Sequence, residues 1–147
     1  MPVTEAYFSA CDIAGGTALP TTWTDISFDT QKYVNSVVFS HTPGSANITA
    51  NVTANYEIQA DVTINQTAGS TRSLGEIRLV KNGAPISGTK GQIYSRNAAQ
   101  GGGSAAVRIV ESITAGDIIK VQGIKVSGGN LLTYPEGCRV LLKKINV

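Results

Sequence analysis

The side chains of this 147-residue chain that could do chemistry are few and scattered. His41 is the sole histidine, so any Ser-His-Asp or Cys-His relay would have to be built around it, beside Thr42-Pro43-Gly44. An imidazole needs a neighbouring nucleophile to act as a base, and a histidine at a strand end is otherwise a solvated or hydrogen-bonded residue. There is no Gly-x-Ser-x-Gly elbow, no phosphate-cradling glycine loop and no His-x-x-x-His pair. Cys11 and Cys138 sit at opposite ends of the chain, without the CxxC spacing of a zinc site. They read either as buried small apolar residues or as a disulfide joining the chain ends. Asp12, Asp25, Asp29, Asp117 and Glu136 could offer loop oxygens to calcium, yet no Asp-x-Asp-x-Asp-Gly spacing organises them. Glycoside hydrolysis needs a matched carboxylate pair in a cleft with aromatic platforms, and one Trp, five Tyr and three Phe furnish few of those. Trp23 reads as core or interface rather than as a sugar platform. The expectation is a protein that is not an enzyme and carries no cofactor or metal.

Composition points the same way. Charged residues make up 15% of the chain, far below the roughly 25% of an average soluble protein. Thr, Ile and Val number 15, 14 and 13, and such branched side chains favour a pleated sheet because a helix restricts their rotamers. A net charge of +2 is too small to capture nucleic acid by neutralising many phosphates. No stretch reads as a signal peptide or a membrane span, so the expected site of synthesis is a cytoplasm, with no membrane partner. The signs are unevenly spread: residues 1–71 hold Lys32 against six acids, whereas residues 72–147 hold eleven bases against four acids. Either the fold interleaves the halves, or the acidic face of one subunit meets the basic face of another.

These residues must be positioned by strands. Tyr56, Ile58, Ala60, Val62 and Ile64 alternate with Glu57, Gln59, Asp61, Thr63 and Asn65, which specifies a strand with one buried and one wet face. Glu76 to Val80 leads into Asn82-Gly83, a hairpin signal, with a return through Ala84 to Ser87. Ala105 to Ile113, the turn Thr114 to Asp117 and Ile118 to Val126 read as a strand and its partner, the second buried on both faces. Arg139 to Val147 reads as a last strand whose lysines, Lys143 and Lys144, suit an edge or a rim. Earlier strands are expected at Ala6 to Ala10, Trp23 to Phe28, Val34 to His41 and Ala46 to Val52, and Gln100 to Ser104 as an exposed loop. Many short strands at close spacing make the fold all-β, an antiparallel β-sandwich of jelly-roll form.

Three segments resemble the globular-head jelly roll of the complement and tumour-necrosis-factor superfamily. They are Val38-Phe39 leading through Ile48 to Ala54–Val62, then Ile77-Arg78-Leu79-Val80-Lys81-Asn82-Gly83, then Ile113–Gln122 with its Ala115-Gly116-Asp117 turn. Asn55 stands where the family has glycine, and asparagine tolerates a left-handed backbone. The resemblance implies a ten-stranded jelly roll that assembles as a homotrimer, with Tyr56, Ile58, Val140 and Leu142 on the trimer interface. A free-standing head of this kind is similar to bacteriophage capsid decoration proteins, head fibres and tail-fibre tips. The reading that follows is a homotrimeric capsid decoration (cement) protein, made in the host cytoplasm, that binds the major capsid protein on the outer capsid surface of the virion and reinforces subunit junctions. The alternative is a receptor- or carbohydrate-binding tip of a tail or head fibre that meets a host surface glycan. Residues 1–20 are expected to form an N-terminal tether or docking segment, with the jelly roll over 21–147, and Val3, Tyr7, Phe8 and Trp23 to bind the partner.

Overall fold

In the computed structural model the described residues are 6–67, 69 and 71–145. The strands are β1 (Tyr7–Asp12), β2 (Ala18–Leu19), β3 (Thr24–Ile26), β4 (Thr30–Val34), β5 (Phe39–Ser40), β6 (Ile48–Ala50), β7 (Ala54–Gln66), β8 (Ser73–Lys81), β9 (Ala84–Pro85), β10 (Gly91–Ser95), β11 (Gly103–Ile113), β12 (Ile118–Ser127) and β13 (Leu131–Lys144). They form two antiparallel sheets packed as a sandwich. One runs β11-β7-β13-β1-β4, with β2 on β13; the other runs β10-β8-β12-β6-β5, with β3 on β12 and β9 on β8. The architecture is the expected all-β sandwich, with thirteen strands among the described residues in place of ten because several are two- or three-residue pieces.

The alternation on β7 sets the core. Tyr56, Ile58, Ala60, Val62 and Ile64 are fully buried and meet Ile77, Leu79, Ile119 and Val121 of the second sheet within one apolar cluster. Phe8, Phe39 and Tyr56 pack ring against ring at one end, with centroids 6.0 and 5.6 Å apart. The Tyr56 hydroxyl donates to the Val52 carbonyl at 2.6 Å, which satisfies the polar end of an otherwise apolar side chain. The Asn82-Gly83 hairpin forms as read, with φ of 51° and 81°, the left-handed pair that a tight turn between twisted strands requires.

Several expectations are corrected. The trimer-interface residues Tyr56, Ile58, Val140 and Leu142 all lie inside the protomer, none more than 2% exposed, because they occupy the inward half of each strand's alternation. Of the expected N-terminal segment, residues 1–5 lie outside the described residues, and Tyr7–Asp12 and Ala18–Leu19 are strands of the jelly-roll sheet rather than a separate tether. β1 is hydrogen-bonded to β13 on one side and β4 on the other, and Phe8, placed on a partner surface, is wholly buried. β11 and β12 are not hairpin partners: β11 pairs with β7 and β12 with β8, so the Thr114 to Asp117 turn carries the chain from one sheet to the other. β12 buries one face, in strict alternation from Ile118 to Gly123. The last strand is not an edge; it lies between β7 and β1. Asn55 is absent from the positive-φ residues, so it needs no glycine-like conformation. Gly101 and Gly102 are exposed, as the loop reading has it, but β11 already begins at Gly103, and a Cβ at Gly102 would collide with the Ile64 carbonyl, so that glycine is required for close approach to β7.

Deleting residues 2–20 removes a strand paired on both edges and exposes the edges of β13 and β4. The truncated chain is expected to lose its cooperative thermal transition by circular dichroism, and a sharp transition near that of the full chain would contradict the placement of β1.

Candidate functional site

The outward face of the sheet built on β7 and β13 is a set of registered rows. Ser9, Leu141, Gln59 and Arg108 form one, with Tyr33 opposite Ser9; Tyr7, Lys143, Glu57 and Val110 form the next; Cys11, Arg139, Asp61 and Ala106 a third. Charges on this face are matched within the plane, Arg108 to Glu57 at 2.8 Å and Arg139 to Asp61 at 3.5 Å. Lys143 reaches the Tyr7 ring, 5.3 Å from its centroid. A shallow hollow among Ser9, Gln59, Asp61, Arg139 and Leu141 marks the middle. Exposed apolar side chains flank it, with Ile13 and Tyr33 toward β4 and Val110 on β11.

The opposite sheet presents a different surface. Arg78, Gln122 and Asp25 share one row across β8, β12 and β3. Arg78 Nε donates to Gln122 Oε1 at 2.9 Å, and Gln122 Nε2 donates to Asp25 Oδ1 at 2.8 Å. Lys120 Nζ bonds the other Asp25 oxygen at 2.9 Å. The Arg78 guanidinium lies over the Trp23 ring, 4.1 Å from its centroid, so one face of that indole is already covered. Burial pushes the Asp25 carboxyl up, but the Gln122 and Lys120 hydrogen bonds outweigh it and the net direction is down.

The remaining candidates are clips. His41 accepts at Nδ1 from the Gln31 amide and donates from Nε2 to the Ser45 carbonyl, each at 2.9 Å, with its ring edge-on to Phe8. Neither ring nitrogen meets a nucleophile among its described contacts. Cys11 and Cys138 lie on paired strands with Cys11 facing outward and Cys138 inward, so both are free thiols and the chain-end disulfide does not form. Of the possible calcium oxygens, Asp12 and Asp29 come together and share a hydrogen bond, whereas Asp25 is held by Lys120 and Gln122 and Asp117 by Asn82. Asp29 takes the backbone N–H groups of Ile13 and Ala14 and sits at about 2; burial pushes Asp12 up.

Of the residues expected to bind a partner, Tyr7 lies on the first face and Trp23 on the second, Phe8 is in the core, and Val3 is outside the described residues. The surface residues that sequence reading passed over, Gln59, Asp61, Leu141 and Arg139, hold the wet positions of the same alternation that located the core. Arg78 and Gln122 carry no local signal, because register alone brings them side by side.

No protein-family model matches this chain, and no curated protein sequence matches it. Solved structures do. The globular domain of the zebrafish complement 1qA protein superposes with a TM-score of 0.65 at 10% identity, covering 97% of this chain and 98% of that one. Murine APRIL gives 0.63 at 13% identity, covering 97% and 100%. The fold is the complement and tumour-necrosis-factor jelly roll. Eiger, a tumour-necrosis-factor protein from S. frugiperda, gives 0.58 at 17% identity over 99% of this chain and 94% of its own. At these identities the likeness is one of fold, and it agrees with the motif order that runs from Val38 to Gln122.

The Asp29 clip carries a pH signature. A carboxyl held at about 2 in the fold, below its ordinary 3.8, contributes stability that is present above the unfolded value and is lost as pH falls toward 2. Asp29→Asn is therefore expected to lower the unfolding temperature at pH 6, with the gap to the parent narrowing between pH 4 and pH 2. A gap that stayed constant would show that the charge on Asp29 is not what binds the 13–14 backbone.

Proposed function

We propose that this chain is a non-enzymatic structural head that assembles with two further copies through the outward face of the β7 and β13 sheet. We place it on the outer surface of a bacteriophage capsid, where it binds the major capsid protein and reinforces subunit junctions. The observation that carries the assembly is the charge economy of that face. Its acids Glu57 and Asp61 already hold Arg108 and Arg139 within the protomer. Covering the face therefore strands neither acid, and Lys143 is met there by the Tyr7 ring, which eases the usual obstacle to burying polar surface. Between the pairs lie Ser9, Leu141, Tyr7 and Ala106, small or apolar groups of the sort obligate interfaces use. A cyclic trimer makes heterologous contacts, one side of each subunit against the other side of the next. Tyr33 and Ile13 at the β4 side and Val110 at the β11 side, 46%, 40% and 57% exposed, supply an apolar surface at each.

The capsid setting rests on the family resemblance and on a composition poor in charge, with its polar surface built from Ser, Thr and Asn. The second sheet is left outside the assembly.

Two measurements test these statements separately. Cys11 lies on the covered face, and Cys138 is a buried thiol pushed up to about 11, unreactive because its thiolate is scarce. Maleimide is expected to spare both cysteines in the assembled protein and to label Cys11 alone once the assembly is diluted apart; rapid Cys11 labelling at all concentrations would place the contact elsewhere. Mixed with capsids of the phage that encodes it, the protein is expected to co-sediment in multiples of three copies. Protein left entirely in the supernatant would defeat the capsid assignment and leave the assembly standing.

A further inference from the structure

We propose that the outward face of β8, β12 and β3 is a docking site for an extended acidic segment of a partner protein, anchored by a carboxylate on Arg78. The anchor is built before any ligand arrives. Trp23 supports the guanidinium from one side at 4.1 Å, and Gln122 fixes its Nε at 2.9 Å. Its two terminal nitrogens have no hydrogen-bond partner and no carboxylate within ion-pair distance among the described residues. The nearby acids are engaged, Asp25 by Lys120 and Gln122 and Glu76 by the Gln92 amide at 3.1 Å. What the face lacks is one carboxylate, and a planar fork held flat is suited to take it in two parallel hydrogen bonds.

The surface beyond Arg78 says what else the ligand carries. Ile124 lies one row along, opposite Glu76, and Leu74 two rows along, opposite Tyr94. Ile124 and Leu74 are half-buried, and Tyr94 and Val126 are 53% and 48% exposed. Rows recur every second residue, so these apolar groups stand roughly 7 and 14 Å from the Arg78 row. Alternate side chains of an extended peptide have the same spacing. The segment that fits reads acidic-x-apolar-x-apolar, its acid on Arg78 and its apolar side chains on Ile124 and on the Leu74 and Tyr94 pair. Glu76 in the middle row disfavours a second acid there, so the apolar side chains lie on the Ile124 and Leu74 side of the acid. This site lies on the sheet opposite the assembly face and does not depend on it.

Trp23 is the sole tryptophan, so its emission reports directly on the anchor. The full-length protein is titrated with the capped peptide Glu-Glu-Thr-Leu-Thr-Phe, with its Gln-Gln-Thr-Leu-Thr-Phe counterpart, and with N-acetylneuraminic acid as a carboxylated sugar. The first is expected to give a saturable change in Trp23 emission, with the glutamine peptide at least about tenfold weaker. Arg78→Gln should weaken the first peptide by a similar factor. Gln122→Glu should do the same by placing a carboxylate beside Arg78 within the chain, with some loss of unfolding temperature because the Gln122 hydrogen bond to Asp25 is replaced by two facing carboxylates. Absence of saturation in the parent protein, equal binding of the two peptides, undiminished binding by both variants, or a response to the sugar in preference to the peptide would each overturn the proposal. The two peptides on the parent protein decide the matter even if a variant folds poorly.

Discussion

The structure depends on one constraint, that a side chain on a strand can face the sandwich interior or the outside but not both. β7 is the longest uninterrupted statement of it, thirteen residues flanked by β11 and β13 along nearly its whole length. Once Tyr56, Ile58, Ala60, Val62 and Ile64 are committed to the core, Glu57, Gln59, Asp61 and Thr63 are committed to the surface. Register then determines their neighbours on both flanking strands, so the rows of the outer face are a consequence of the core. A one-residue slip would exchange the two sets, which is why so apolar an inward set holds the register firmly.

Charge follows from the same geometry. Three of the four ion pairs among the described residues join an acid of the first half of the chain to a base of the second: Glu57 to Arg108, Asp61 to Arg139 and Asp25 to Lys120. The uneven sequence distribution of charge is thus resolved within the protomer, because the sheets interleave early and late strands. No acidic-to-basic contact between subunits is required to account for it. Partly exposed pairs of this kind stabilise little, about 1 kcal/mol or less each, and their larger effect is to neutralise the acids Glu57 and Asp61 on a sheet face.

How much the sequence disclosed varied with how local the information was. β7 was legible almost to its ends because five inward residues at period two leave no other reading. The Asn82-Gly83 hairpin was equally plain, since its conformation is dictated by the two residues in it. The turn at Thr114 to Asp117 was misread because a tight turn looks the same whether the chain returns beside itself or crosses to the other sheet; the Asn82 contact to Asp117 that ties the turn down comes from a distant hairpin. β13 was read short because Tyr134-Pro135-Glu136-Gly137 interrupts its period, with Glu136 at a φ of 62° and the register shifting between Thr133 and Cys138. At Tyr56, Ile58, Val140 and Leu142 apolar alternation announces a buried face without saying whether the burial is within the chain or between chains; it is within the chain. Arg78, Gln122 and Asp25 were invisible as a group, being assembled from three strands by register alone.

Copies of this chain are proposed to meet through the outward face of the β7 and β13 sheet. Leu141 sits at its centre between Ser9 and Gln59, with its side chain away from the core. Sedimentation equilibrium of the parent protein and of Leu141→Glu tests the claim most directly. The parent is expected at the mass of three chains, and the variant at the mass of one, still folded by circular dichroism. A parent protein of single-chain mass, or a Leu141→Glu variant that remained at three, would contradict it.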